Sequence, residues 1–205
     1  MSAAYDYVFM TLARAPTPHP ALARRLADST PTLAAAGGEL VGQWAPQLGW
    51  ANDEAAVLVR WTGARGGPAA VIGLQGIAEA RVEHLAPTIR PADGNRPIPG
   101  GVFVHRWFAV EAGAEDEFVE LSSRGWAHFE TLFDAKIFGL FRAARSADDE
   151  AAGVSRLLLI TRYGDHGVWE ASRDPSTEAM QIFMRRQQLT RRSWAASTRL
   201  VEHPA

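Results

Sequence analysis

Residues 90–101 read Arg-Pro-Ala-Asp-Gly-Asn-Arg-Pro-Ile-Pro-Gly-Gly, and this stretch lies near the middle of the 205-residue chain. Its prolines lack the amide hydrogen that a helix or an inner strand needs, and the two closing glycines weaken regular structure further. Neither a helix nor a central strand is expected here. The stretch is therefore predicted to separate two halves, residues 1–95 and 102–205.

Each half begins with a strand-like segment and continues with a helical one. Segments 5–12 and 102–110 are rich in aromatic and β-branched residues, which favours strands. Apolar residues then recur at the helical period in 22–33 and again in 118–133. Pro31 is expected to kink or restart the first of these two helices.

The remaining elements also occur twice, as a hairpin, a second helix and a closing strand. These six strands are predicted at 39–46, 56–61, 82–89, 137–144, 156–163 and 193–201. Pro68 opens the second helix of the first half, and Asp174 caps that of the second. The order β-α-β-β-α-β is the ferredoxin-like unit, whose sheet carries helices on one face only. The sequence thus predicts an α+β fold of tandem ferredoxin-like repeats that cover each other and form an α+β barrel.

Composition excludes several classes of protein. There are no cysteines, so disulfides, thiolate metal sites and cysteine nucleophiles are excluded. With 21 basic and 23 acidic residues the net charge is −2, so no nucleic-acid partner is expected. No apolar run reaches the roughly 20 residues that span a bilayer. No membrane partner is therefore expected, and without the pattern of a signal peptide the predicted location is cytoplasmic.

Two further compositional features concern origin and mechanism. Twenty of the 21 basic residues are arginine, which together with abundant alanine and glycine is typical of a GC-rich bacterial genome. The sequence has no glycine-rich Rossmann or P-loop motif and no G-x-S-x-G elbow. Nucleotide binding by those modes and serine-hydrolase chemistry are therefore not expected.

The second half carries motifs as well as a pattern of elements. It resembles the NIPSNAP family of the dimeric α+β barrel superfamily in segments 103–108, 139–142, 159–164 and 169–173 and at Gly113. In that family the first strand typically ends in a pattern like E-x-R-x-Y, followed by a glycine where the helix begins.

Arg106 matches the arginine of this pattern, whereas Phe108 stands in place of the tyrosine. The resemblance covers roughly residues 102–175, and the first half looks like a diverged copy. It implies the fold rather than one reaction, because the superfamily includes small monooxygenases, haem-binding enzymes, dehydratases, isomerases and plain ligand binders.

Three residues are candidates for catalysis. Strand alternation places His105 and Arg106 on opposite faces of the sheet. If Arg106 faces a cleft between the two sheets, its planar guanidinium can hold a carboxylate or enolate oxygen. The alternative is an arginine paired with an acid at the barrel rim. His105 and His128 can change charge near neutral pH and move a proton, unless they are simply buried core histidines.

Five further residues are candidates for substrate binding. Large aromatic side chains line apolar ligand pockets as well as cores, and a tyrosine hydroxyl or an arginine can orient a polar group. The predicted binding residues are Trp107, Trp126, Arg162, Tyr163 and Trp169. Packing in the core, with the tyrosine hydroxyl at its edge, is the alternative for the aromatic members.

Other polar residues are assigned structural roles. His166 and Glu170 share a helical face, but two ligands without a third do not predict a metal site, and no cofactor is expected. Arg173 pairs with Glu170 or caps a helix. The pairs Arg185-Arg186 and Arg191-Arg192 are expected on a solvated face near the C-terminal end of a helix, with a phosphate-binding patch as the alternative.

The sequence therefore favours a protein that binds a small apolar or aromatic organic molecule in a cleft between two sheets. Cofactor-independent proton-transfer or oxygenase chemistry is one hypothesis, and whether the protein is an enzyme stays open. A non-catalytic binding or protein-interaction module is a second hypothesis, and a haem-binding barrel with an axial histidine is a third. A homodimer is compatible with all of them.

Overall fold

The computed structural model describes residues 3–63 and 65–202, which form eight strands and six helices. The strands are β1 (Ala4–Leu12), β2 (Gly38–Leu48), β3 (Glu54–Trp61), β4 (Ile77–Pro87), β5 (Val102–Glu111), β6 (Ala135–Ala143), β7 (Val154–Tyr163) and β8 (Thr190–Leu200). The helices are α1 (Pro18–Ala35), α2 (Ala69–Ile72), α3 (Glu115–Leu132), α4 (Ala147–Ala152), α5 (His166–Ala171) and α6 (Glu178–Gln187). The α+β class and the repeated ferredoxin-like order of elements are confirmed. No helix among the described residues is long and apolar enough to cross a membrane.

The chain forms two compact units, residues 3–86 with 197–202, and residues 87–196. The last residues of β8 belong to the first unit, since Ser197–Leu200 pair with β2. The division at 1–95 and 102–205 stays a prediction from the sequence.

The first unit is an antiparallel sheet with α1 on one face. Strand β1 lies between β3 and β4, and β2 pairs with β3. Leu22, Leu26 and Leu33 of α1 are each 1% exposed and pack in the core of this unit. The helix continues through Pro31 rather than restarting there, because Leu33 beyond the proline is still anchored in the core.

The second helix of the first unit is shorter than the sequence predicts. Helix α2 has four residues, Ala69–Ile72, and ends at Gly73. Gly76 has a φ of 86°, a left-handed conformation that breaks a helix, and Ile77 already begins β4. The apolar residues after Ile72 therefore belong to a turn and a strand.

The second unit is an antiparallel sheet covered by α3 and α6. Strand β7 lies between β5 and β6. Its pairing with β5 runs from Val102 opposite Tyr163 to Glu111 opposite Val154. Acidic residues occupy the first turn of α3, as predicted. Helix α6 begins one turn later than predicted. Its N-cap is Thr177, whose side chain accepts a hydrogen bond from the Met180 amide, while Asp174 caps the preceding turn at Ser176.

Candidate ligand site

A cavity of about 360 Å³ lies in the second unit between its sheet and the helices that cover it. Strands β5, β6 and β7 supply its floor, and α3, α5 and α6 supply its walls. Its aromatic lining consists of Phe108, Trp126, Phe129, Tyr163, Trp169 and Phe183. Such a lining suits a flat, apolar or aromatic molecule.

The position of Arg106 on the sheet follows from strand alternation. Val104, Phe108 and Val110 belong to the core between sheet and helices, and Arg106 lies on the same face of β5, opposite Leu159 of β7. Arg106 therefore reaches the cavity from its floor. The sequence left open which face this arginine occupies, and the structure places it on the helix-covered one.

Aromatic rings hold the helices against each other beside the cavity. The ring of Phe129 on α3 lies 6.1 Å from that of Tyr163 and 5.7 Å from that of Phe183 on α6, both edge to face. Gly125 permits this close packing, because a methyl group there would overlap the Phe183 ring. The α3–α6 contact thus depends on a residue without a side chain.

Arg186 is the most deeply buried cation of the cavity, with 8% of its surface exposed. Its Cζ lies 5.0 Å from the ring centres of Phe108 and Phe118 and 4.6 Å from that of Phe183. Its Nη1 donates a hydrogen bond of 3.1 Å to Ser122 Oγ. Burial lowers the pKa of Arg186 to about 9, and the charge of Arg106 contributes to this shift.

The solvated face predicted for Arg186 is therefore wrong. Ala179 and Phe183 lie seven and three residues before it, so all three occupy one stripe of α6. Ala179 and Arg186 are the buried residues of this helix. The neighbouring Arg185 faces solvent, as expected. The helical spacing was the signal in the sequence that could have separated the two arginines.

Two further cations line the cavity. Burial lowers the pKa of Arg106, and the nearby Arg173 lowers it further, while Tyr163 acts in the opposite direction. Arg173 is exposed, and its Cζ stacks 5.0 Å from the ring centre of Trp169, rather than pairing with Glu170. Within residues 3–63 and 65–202, no Asp or Glu lines the cavity, and neither Arg106 nor Arg186 forms a salt bridge. The described lining thus brings positive charges together without an acidic side chain to balance them.

Tyr163 supplies the phenol of the cavity and is 8% exposed. Burial raises its pKa, and Arg106, Ser172, Arg173 and Arg186 oppose this shift in part. The neutral hydroxyl is therefore the favoured form, and it can donate a hydrogen bond to an anionic ligand.

Four of the eight residues predicted for the site meet in this cavity, namely Arg106, Trp126, Tyr163 and Trp169. Two of the others lie elsewhere in the second unit. Trp107 stacks on Trp194 with ring centres 6.4 Å apart, and Arg162 forms a salt bridge with Asp134.

The two predicted histidines do not line the cavity. His105 is 1% exposed on the sheet face opposite Arg106, and burial lowers its pKa to about 3, so its ring is neutral at physiological pH. His128 lies on α3, with its Nδ1 3.9 Å from Glu178 Oε2. The described residues contain no group of three or more His, Asp or Glu side chains placed to hold a metal ion.

The first unit fills the equivalent positions with apolar side chains. Ala4 pairs with Trp61 as Val102 pairs with Tyr163, so Val8 occupies the strand position of Arg106 and Trp61 that of Tyr163. Both Val8 and Trp61 are 0% exposed and belong to the core of that unit. At this strand position the cation of Arg106 therefore occurs in the second unit and has an apolar counterpart, Val8, in the first.

The fold has relatives among solved structures. A proposed monooxygenase from Fusobacterium nucleatum superposes with a TM-score of 0.61 at 9% identity, over 98% of this chain and 94% of that one. An anthrone oxidase-like protein gives a TM-score of 0.64 at 14% identity, over 98% and 92%. A chlorite dismutase variant from Candidatus Nitrospira defluvii gives 0.53 at 7% identity, over 95% and 91%. At these identities the likeness shows the ferredoxin-like fold alone.

No family model and no curated protein matches the sequence. Membership of the NIPSNAP family, which the second half resembles, therefore stays a prediction.

Proposed function

We propose that this protein binds an aromatic organic acid, phenol or enol as its anion in the cavity of the second unit. One observation carries this proposal: in the described part of the chain, three arginines and no acidic side chain line a cavity whose other lining is largely apolar and includes six aromatic rings. The proposed site lies between the sheet and the helices, whereas the sequence suggested a cleft between two sheets.

The physical reason is that Arg106 and Arg186 have no negatively charged partner in the cavity when no ligand is bound. A buried cation without a counter-charge is unfavourable, and the lowered pKa values of Arg106 and Arg186 express this. A bound anion supplies the missing partner, and a guanidinium can donate two parallel hydrogen bonds to a carboxylate. Binding therefore favours the deprotonated form of any weak acid that fits the aromatic walls.

This preference supports one class of reaction. A cofactor-independent oxygenase needs its substrate as an anion that can transfer an electron to O₂, and the arginines favour such an anion. The lining includes no His, Asp or Glu among residues 3–63 and 65–202 that could act as a base. In this proposal the proton passes to solvent water, which reaches the lining at the exposed residues Arg173, Met184 and Gln187. Similarity to a proposed monooxygenase and to an anthrone oxidase-like protein supports the same class.

The haem-binding hypothesis finds no such support in this cavity. Haem iron takes a histidine, a thiolate or a tyrosinate, or a methionine together with a histidine. The described lining has no histidine, and burial raises the pKa of Tyr163, the phenol present. The residues of the cavity do not fit a haem.

The first experiment compares 2-naphthoate with its neutral analogue 2-naphthamide by titration calorimetry. The acid is expected to bind more tightly, and Arg106→Gln to weaken it at least about tenfold, since a hydrogen bond to a charged group contributes about 1.5–3 kcal/mol. Arg185→Gln changes the net charge equally but lies outside the cavity, so it should leave the affinity unchanged. Equal binding of the acid and the amide would contradict the proposal.

A second experiment separates an enzyme from a binder. Oxygen uptake is measured with anthrone, an aromatic ketone with an acidic C–H bond, in the presence of the wild-type protein and of Arg106→Gln. Uptake above the protein-free rate that falls in the variant supports oxygenase chemistry. Binding of anthrone without uptake supports the non-catalytic alternative.

Cytoplasmic location and a homodimer stay predictions from the sequence.

A further inference from the structure

Resting on the proposed function, we infer that the ligand of this cavity carries two acidic groups, one at each end of an aromatic body. The positions of the cationic side chains along the cavity, and not only their presence, point to such a ligand. A single carboxylate or phenolate can satisfy the proposed function, but it cannot reach both ends.

Arg186 marks the inner end of the cavity. Its guanidinium is held by the rings of Phe108 and Phe118 and by the hydrogen bond to Ser122 Oγ. Since Ser122 Oγ itself donates to the Phe118 carbonyl oxygen at 2.7 Å, its position is fixed within α3. The charge of Arg186 is thus held in one place behind the aromatic wall.

Arg173 marks the other end, which we call the mouth because this residue is exposed to solvent. Its guanidinium stacks on Trp169, which packs beside Tyr163 with ring centres 6.5 Å apart. From Tyr163 the row of rings continues through Phe129 to Phe183, with ring centres 6.1 and 5.7 Å apart, and Phe183 stacks on Arg186. Arg173 and Arg186 therefore lie at opposite ends of a row of four aromatic rings.

Arg106 lies between these ends, opposite Leu159. Its charge lowers the pKa of Arg186, and the charge of Arg173 lowers that of Arg106, so the three cations repel one another along the cavity. One anionic group at the inner end would reduce only the repulsion between Arg106 and Arg186. A second anionic group at the mouth would reduce the repulsion between Arg106 and Arg173, while the rings between the two groups contact the apolar body of the ligand.

The experiment compares 2-naphthoate with naphthalene-2,6-dicarboxylate by calorimetry at one ionic strength. The dicarboxylate is expected to bind at least about tenfold more tightly, the effect of one additional charge-assisted contact. Arg173→Gln should weaken the binding of both acids but that of the dicarboxylate much more, so the ratio of their affinities should fall at least about tenfold, towards one. Arg173→Lys should retain much of the advantage, and Arg185→Gln, which removes an exposed charge next to the cavity, should retain all of it.

The outcomes distinguish this inference from the proposed function. Equal affinity for the two acids, or an equal loss for both in Arg173→Gln, would overturn the two-acid ligand and leave the anion site intact. If neither acid binds more tightly than 2-naphthamide, the proposed function fails and the inference fails with it. Because Arg173 is exposed at the end of a helix, its replacement is not expected to disturb folding.

Discussion

Arg186 and Ser122 join α6 to α3 through a hydrogen bond of 3.1 Å that ends on a buried, unpaired charge. The serine holds the guanidinium in place but does not neutralise it. The free protein therefore bears a cation whose burial opposes folding and which only an anion from outside can compensate. Stability and ligand binding place opposite demands on this residue.

Replacing Arg186 by Met should separate these two demands. The variant keeps an unbranched apolar stem among the rings and removes the buried charge, so the free energy of unfolding should rise by about 1–4 kcal/mol. Affinity for 2-naphthoate should fall in the same protein. Urea denaturation and calorimetry measure the two effects.

Arg185→Met serves as the matched control, since it removes one charge from the exposed face of the same helix. It should change neither quantity appreciably. A less stable Arg186→Met protein would mean that ring contacts and the Ser122 hydrogen bond outweigh the cost of burying the charge.

The acid stability of the protein should depend on His105. Its pKa is about 3 in the folded protein against 6.5 for the free side chain, so the unfolded chain binds the proton first. The stabilising contribution of the neutral ring is complete above pH 6.5 and is lost as the pH falls from 6.5 towards 3. Within this interval the loss amounts to about 1.4 kcal/mol per pH unit.

His105→Gln should therefore flatten the dependence of unfolding free energy on pH. The informative window is pH 4.5–6.5, because the carboxyl groups Glu115 and Asp149, whose pKa values are lowered, titrate below it. An unchanged slope in His105→Gln would mean that this ring does not stay neutral in the folded protein.

Packing between α3 and α6 should tolerate no side chain at Gly125. A methyl group there meets the Phe183 ring, so Gly125→Ala forces a shift that costs about 1–3 kcal/mol, more than the roughly 1 kcal/mol that alanine gains in a helix. Because Phe183 also stacks on Arg186, affinity for 2-naphthoate should fall as well. Adding Phe183→Leu removes the overlapping ring atoms and should restore stability. A Gly125→Ala protein as stable as wild type would show that Phe183 moves aside freely.

The fold could be predicted from the sequence because its determinants are local. Strand alternation, helical periodicity and the Pro/Gly stretch at 90–101 sufficed for the order of elements. The errors fell where local signals compete with packing. Pro31 lies inside a continuous helix, which Leu33 beyond the proline anchors in the core. Helix α6 has Thr177 as its N-cap, whereas the sequence predicted Asp174.

The site could be predicted only in part, for a different reason. Arg106, Tyr163 and Trp169 carried recognisable chemistry on predicted elements, and the structure brings them together. Arg186 is an arginine beside another arginine near a helix end, where solvent exposure is the common outcome. Its burial depends on which face of α6 meets α3. The seven-residue spacing from Ala179 marks that face, but the paired charges favour solvent exposure.

A bound phenol should ionise more readily in this cavity than in water. The probe is 4-nitrophenol, whose anion is yellow, so absorbance against pH gives the pKa of the bound molecule directly. The three arginines favour the anion, and the neutral hydroxyl of Tyr163 donates to it, so the pKa of the bound phenol should fall by about one unit or more. Arg106→Gln should reduce this fall, whereas Arg185→Gln should preserve it. A bound phenol with a raised pKa would mean that burial in the aromatic cavity outweighs the arginines, and the protein would then be a site for neutral aromatic molecules.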